Sequence, residues 1–101
     1  AALLARTFYV LPIEENGITY SVETKVTDTP RVSEHFLTAT DTKKNIVWRT
    51  SVYKKIYIEG LEGDVQDVFV VDLYVEDQDV VVKLEHRKPY RFNKHTGTIK
   101  M

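Results

Sequence analysis

The chain has 101 residues, 43% of them apolar and 29% charged, with a formal net charge of −1. That balance describes one folded domain rather than a disordered segment, and so small a charge argues against a general nucleic-acid binder, which carries a large basic excess. Cysteine is absent, so no disulfide or Cys-based zinc site can form, and no apolar run reaches the roughly 18 residues of a membrane-spanning helix.

Valine, isoleucine and threonine together supply 31 residues, against 11 from alanine and leucine. Branching at Cβ stiffens a side chain and suits a pleated strand better than a helix. Ala1 to Ala5 fits the small-residue end left by signal-peptide cleavage or an artificial junction, and the reading leans slightly to export. Leu3 to Leu11 is predicted as the first strand, ended by Pro12, which cannot donate to a ladder.

Asn16-Gly17 is the strongest local signal, because both residues tolerate the positive φ of a two-residue hairpin turn. Strict alternation follows. Ile18, Tyr20, Val22, Thr24 and Val26 share one face, as in a strand with one buried side. Asp28-Thr29-Pro30 has turn chemistry, and Glu34 to Thr40 forms the next strand. After the polar turn 41–45, Ile46, Trp48, Thr50 and Val52 are predicted inward, with Val47, Arg49, Ser51 and Tyr53 outward. Lys54 breaks the pattern, so a bend or bulge is placed at Lys54-Lys55.

The stretch from Glu59 to Asp64 is the most loop-like and divides the chain in two. Val65 to Val75 is apolar on both faces and reads as a covered central strand. Phe69, Val71, Leu73 and Val75 fall on one of those faces. Asp72 lies on the other and would need a partner there. Glu76 to Asp79 turns the chain, and Val80, Val82 and Leu84 point inward on the return. A turn at 86–89, a short strand Tyr90 to Phe92, a turn at 93–97 and a last strand from Thr98 complete the chain. The fold class is therefore all-β and antiparallel. Seven or eight strands form two packed meanders in a β-sandwich-like arrangement, with a small closed barrel as the alternative. The expected core is Tyr20, Val22, Trp48, Val52, Phe69, Val71, Leu73, Val82 and Leu84.

The turns at 41–45 and 93–97 look alike, with Asp41 matching Asn93 as side-chain cap and Asn45 matching Gly97 as the left-handed residue. Here Tyr90-Arg91-Phe92-Asn93-Lys94-His95-Thr96-Gly97-Thr98-Ile99 resembles the outer hairpin of a quinoprotein-type β-propeller repeat. The segment from Ala39 to Arg49 is similar but about one residue shorter in the turn. The resemblance covers about a fifth of the chain. It implies blade-like hairpins only: a propeller needs about 4–8 blades, and no cofactor residue of that family transfers.

Ser21, Ser33 and Ser51 sit in no nucleophile elbow. His35, His86 and His95 lack metal-ligand spacing. Glu62, Asp64 and Asp67 flank a Gly-bearing loop that could offer oxygen ligands to Ca²⁺, but they match no calcium-loop pattern and read better as solvated loop charges. Residues 59–79 carry eight acids and no base, whereas residues 80–101 carry six bases and one acid. Such segments pair if they are adjacent strands, or leave a basic end if they lie apart. The candidate binding residues are Arg49, Tyr53, Lys55 and Tyr57, an aromatic and basic series on the outward phase of one strand. The expectation is a protein-interaction or binding module rather than an enzyme, without cofactor. Its partner would be another protein or, through an open sheet edge, a second copy. The alternative is a small-ligand or carbohydrate-binding domain using the same face.

Overall fold

The computed structural model describes residues 10–28, 31–56, 70–85 and 87–100. They form eight strands: β1 (Ile13–Glu15), β2 (Ile18–Asp28), β3 (Arg31–Thr40), β4 (Ile46–Ile56), β5 (Val70–Glu76), β6 (Asp79–Leu84), β7 (Tyr90–Asn93) and β8 (Ile99–Lys100). Two four-stranded antiparallel meanders follow chain order, β1-β2-β3-β4 and β5-β6-β7-β8, and neither closes into a barrel. The division falls between Ile56 and Val70, around the loop-like stretch. Among the described residues no helix is long and apolar enough to cross a membrane.

The inner faces of the two sheets share one core. Tyr20, Leu37, Ala39 and Val52 come from the first sheet; Val70, Leu73, Val80, Val82, Leu84 and Phe92 come from the second. The local signals act as their chemistry dictates. Asn16 and Gly17 have φ of 52° and 83°, and they join Glu15 to Ile18 by a two-residue loop. Asp41 Oδ1 accepts from the Lys43 and Asn45 amides at 2.9 Å each. Asn93 Oδ1 likewise accepts from the amides of His95 and Thr96. The left-handed residue of the first turn is Lys44, φ 69°, rather than Asn45. The Lys44 amide donates to the Asp41 carbonyl as the Gly97 amide donates to that of Asn93. Asp41/Asn93 and Lys44/Gly97 are thus equivalent, and the earlier turn is one residue shorter.

Several expectations are corrected. Residues 10–12 are not strand, and the first strand among the described residues follows Pro12; positions 3–9 of the expected strand lie outside the described residues. The covered strand of the second sheet is β6, which lies between β5 and β7 and has Val80, Val81 and Val82 fully buried. β5 is instead a border strand, and a bulge sets Val70 opposite Leu84 and Asp72 opposite Lys83. The extra residue, Val71, is turned out and 41% exposed, while Val70 and Leu73 are buried. Asp72 is exposed and caps the Leu73 amide at 2.9 Å. Phe69 lies outside the described residues.

β4 carries two bulges. Ala39 pairs with Trp48 but Thr40 with Ile46, and His35 pairs with Tyr53 but Phe36 with Ser51, so Val47 and Val52 are the extra residues. An extra residue reverses the phase of alternation beyond it. Ile46 is therefore turned outward, 59% exposed. Tyr53 is brought to the core side, where it packs half-buried. Pairing is regular at Lys54 and Lys55, so the bulge expected there is absent; the irregularity lies earlier, at Val52. On β2 the inward face outruns the core, and Val26 stays exposed.

Part of the charge segregation is met by pairing across the second sheet, while Lys94 pairs instead with Glu15 of the first. Arg91 pairs with Glu76 and with Asp79, and the Lys100 ammonium lies 2.5 Å from Asp79. The Lys100 hydrogen bond and then that of Arg91 hold the Asp79 carboxyl below its ordinary range, against the opposing effect of desolvation. Glu59, Glu62, Asp64 and Asp67 lie outside the described residues.

Candidate functional site

Of the sequence-derived series, the structure sets Arg49 and Tyr53 on different faces. Arg49 lies on the outer face of the first sheet, paired with Glu23 at 3.1 Å and stacked 4.4 Å over the Phe36 ring. Tyr53, past the second bulge, accepts a 2.9 Å hydrogen bond from Arg87, whose guanidinium lies 4.6 Å over its ring. Lys55 is the penultimate residue of β4, opposite Ser33; its side chain and Tyr57 lie outside the described residues. The bulge at Val52 was invisible to a strict period-2 reading, and it separates Arg49 from Tyr53.

The structure brings a different set together. A row runs across the first sheet: Ile13 opposite Tyr20, Tyr20 opposite Ala39, and Ala39 opposite Trp48. Ala39 is a single methyl between two large rings. Tyr20 and Trp48 therefore meet over it, with centroids 6.0 Å apart and planes tilted by 37°. The β7–β8 turn of the other sheet closes onto them. The Trp48 indole donates to the Lys94 carbonyl at 3.1 Å and the Tyr20 hydroxyl at 3.4 Å, so one carbonyl holds both aromatics. Thr50 donates to the Gly97 carbonyl at 2.8 Å. Gly97 itself is required here. It has φ +78°, and a Cβ would sit 2.5 Å from Trp48 Cε3.

Between these elements lies a cleft of about 510 Å³ at the mouth of the sandwich. Tyr20, Val47 and Trp48 supply its aromatic and apolar wall, and Glu15, Gln78, Lys94 and His95 its polar rim. That volume falls within the roughly 300–1,000 Å³ of small-molecule sites. The Lys94 ammonium pairs with Glu15 at 2.9 Å, and that hydrogen bond is the main reason its pKa is raised. Burial, then the Glu15 charge, raises the Tyr20 hydroxyl. His95 Nε2 and Gln78 Oε1 share a hydrogen bond at 3.1 Å. The rim is thus two matched pairs, holding both donors and acceptors with little net charge. A second hollow of about 470 Å³, lined by Glu14, Thr19, Thr40, Asp41 and Lys44, has no aromatic wall.

Among the described residues no three His, Asp or Glu side chains converge as a metal site would require. Trp48 was legible as core, but its part in a cleft was not: the signal lay in turn residues Gln78, Lys94 and His95, which converge only when the sheets pack. No protein-family model matches the chain, and no curated protein is significantly similar to it.

Proposed function

We propose that the chain is a binding module, not an enzyme, and that it takes hold of its ligand at the Tyr20/Trp48 mouth. The observation that carries this reading is the convergence of the β1–β2 hairpin, the start of β4, the β5–β6 turn and the β7–β8 turn on one aromatic-walled cleft. Concave, partly apolar sites with a few fixed polar groups are where ligands bind. The pairs Glu15–Lys94 and Gln78–His95 suit orientation of a ligand better than proton transfer.

A protein-contact reading on β4 is favoured by the exposure of Ile46 and Val47, 59% and 50%, on the strand that also carries Arg49. Against strand addition stand the two bulges of β4, a device that blunts sheet edges.

Trp48 is the only tryptophan, so its emission reports on the mouth directly. Titration with fractions of a source extract is expected to give a saturable change that Gln78→Ala with His95→Ala weakens about tenfold. A partner that binds without altering Trp48 emission, and is lost in Arg49→Ala with Tyr53→Ala, would replace the mouth with β4 as the site.

A further inference from the structure

We infer that the ligand of this mouth is a neutral carbohydrate, an inference that rests on the mouth being the binding site. The chemistry of the lining selects by elimination. Glu15 and Lys94 sit 2.9 Å apart in the rim, the ammonium side chain only 13% exposed. An anionic ligand approaching Lys94 meets the Glu15 carboxylate, and a cationic one approaching Glu15 meets the ammonium. The two charges cancel towards a ligand that touches both. A wholly apolar ligand fails for another reason: it would strip water from this ion pair and from Gln78 and His95 without replacing the lost hydrogen bonds.

A sugar ring meets both conditions. Its C–H face is apolar and lies against an aromatic wall, here Trp48 beside Val47, with Tyr20 buried behind it. Its hydroxyls each donate and accept, so adjacent hydroxyls match an acceptor and a donor held side by side, as Glu15 and Lys94 are. Gln78 and His95 offer a second such pair on the same rim. The wall is also set before binding. Trp48 is fixed by its bond to the Lys94 carbonyl and by the backbone of Gly97 against its ring, so little ordering remains to oppose association.

The test uses the full chain in amide-resolved NMR and Trp48 emission. It is titrated with neutral cello-, manno-, galacto-, xylo- and chito-oligosaccharides, and separately with acidic peptides, basic peptides and nucleotides. One oligosaccharide series is expected to give saturable shifts at residues 15–20, 47–48, 78 and 94–95, insensitive to salt. Affinity should fall about tenfold in Gln78→Ala with His95→Ala, as expected for two lost hydrogen bonds. Both side chains are exposed, and an unchanged melting curve confirms that the variant is folded. If peptides or nucleotides move the mouth amides and no sugar does, the carbohydrate inference falls and the mouth remains a binding site. Sugar binding whose affinity is unchanged by the double substitution overturns the inference by placing the sugar elsewhere. Shifts from no probe at all count against both readings.

Discussion

Two positions carry opposite backbone consequences. Gly97 has φ +78° with Trp48 carbons at 2.5 and 2.7 Å from where a Cβ would stand. Gly97→Ala imposes both left-handed strain and an overlap with a ring that hydrogen bonding holds in place. It should destabilise by about 2–5 kcal/mol, read as a lowered urea midpoint. Lys44 adopts φ 69° although it is not glycine. Lys44→Gly removes that strain and returns part of the gain as unfolded-state entropy. The net expectation is up to about 1 kcal/mol of stabilisation, or roughly 4–8 °C in Tm; a lowered Tm would show that Lys44 makes a contact worth more than its strain. Acid stability follows from two carboxylates. Asp41 is held below its ordinary pKa, chiefly by the Asn45 amide, and Asp79 chiefly by Lys100. A depressed folded pKa contributes stability that is present above the unfolded value of about 3.9 and is lost as pH falls through the lower folded value. Melting curves collected downward from pH 5 should therefore steepen in their decline below about pH 4, and Asp41→Asn with Asp79→Asn should flatten that decline. Tyr20 and Lys94, both raised, work at the other limb. Their contribution is complete below about pH 10 and is lost above it.

Among the elements, what could be read from residues was the set of strands whose alternation is unbroken. The Asn16-Gly17 hairpin, the inward Val80-Val82-Leu84 phase of β6 and the division into two meanders all follow from local chemistry and period. The bulges were not legible. Val47, Val52 and Val71 are β-branched, as any strand residue might be, and nothing in their identity marks them as extra. Their placement is decided by the partner strand: Ala39 opposite Trp48 and Leu84 opposite Val70 fix the registers between which each must be accommodated. The same limit hid Leu37 and Phe92, neither of which was in the expected core although both are fully buried. Phe92 sits in a four-residue strand whose local pattern is too short to show a phase. Packing assigns it a larger part than its neighbours suggest. Phe92→Ala should cost about 3–5 kcal/mol and Leu37→Ala about 2–5 kcal/mol, both above the effect of Val71→Ala, which removes an exposed side chain. Equal midpoints for Phe92→Ala and Val71→Ala would mean that the β5 bulge is misplaced and Val71 belongs inside.

At the scale of the molecule, the four sheet borders bear on self-association. A border strand exposes unpaired backbone groups and invites a second copy to extend the sheet. Here β1 and β8 have three and two residues, too few for a stable ladder. β4 and β5 are longer, but both are bulged. The longest border is interrupted at Val47 and Val52, which divides its register with β3 into two short runs, Trp48 to Ser51 and Tyr53 to Ile56. It also carries Arg49, Lys54 and Lys55 with no acid in the strand, and two copies would place like charges near one another. Each feature weakens antiparallel pairing, and together they argue for a monomer despite the exposed Ile46 and Val47. Light scattering coupled to gel filtration should give the mass of a single 11.7 kDa chain across the micromolar range. Should a dimer appear instead, Ile46→Lys, which lies outside the mouth, identifies its source. Dissociation by that variant would make the exposed β4 residues the contact and would move the functional reading from the mouth towards β4. A dimer that survives it must be built on another surface, and the mouth keeps its place as the binding site.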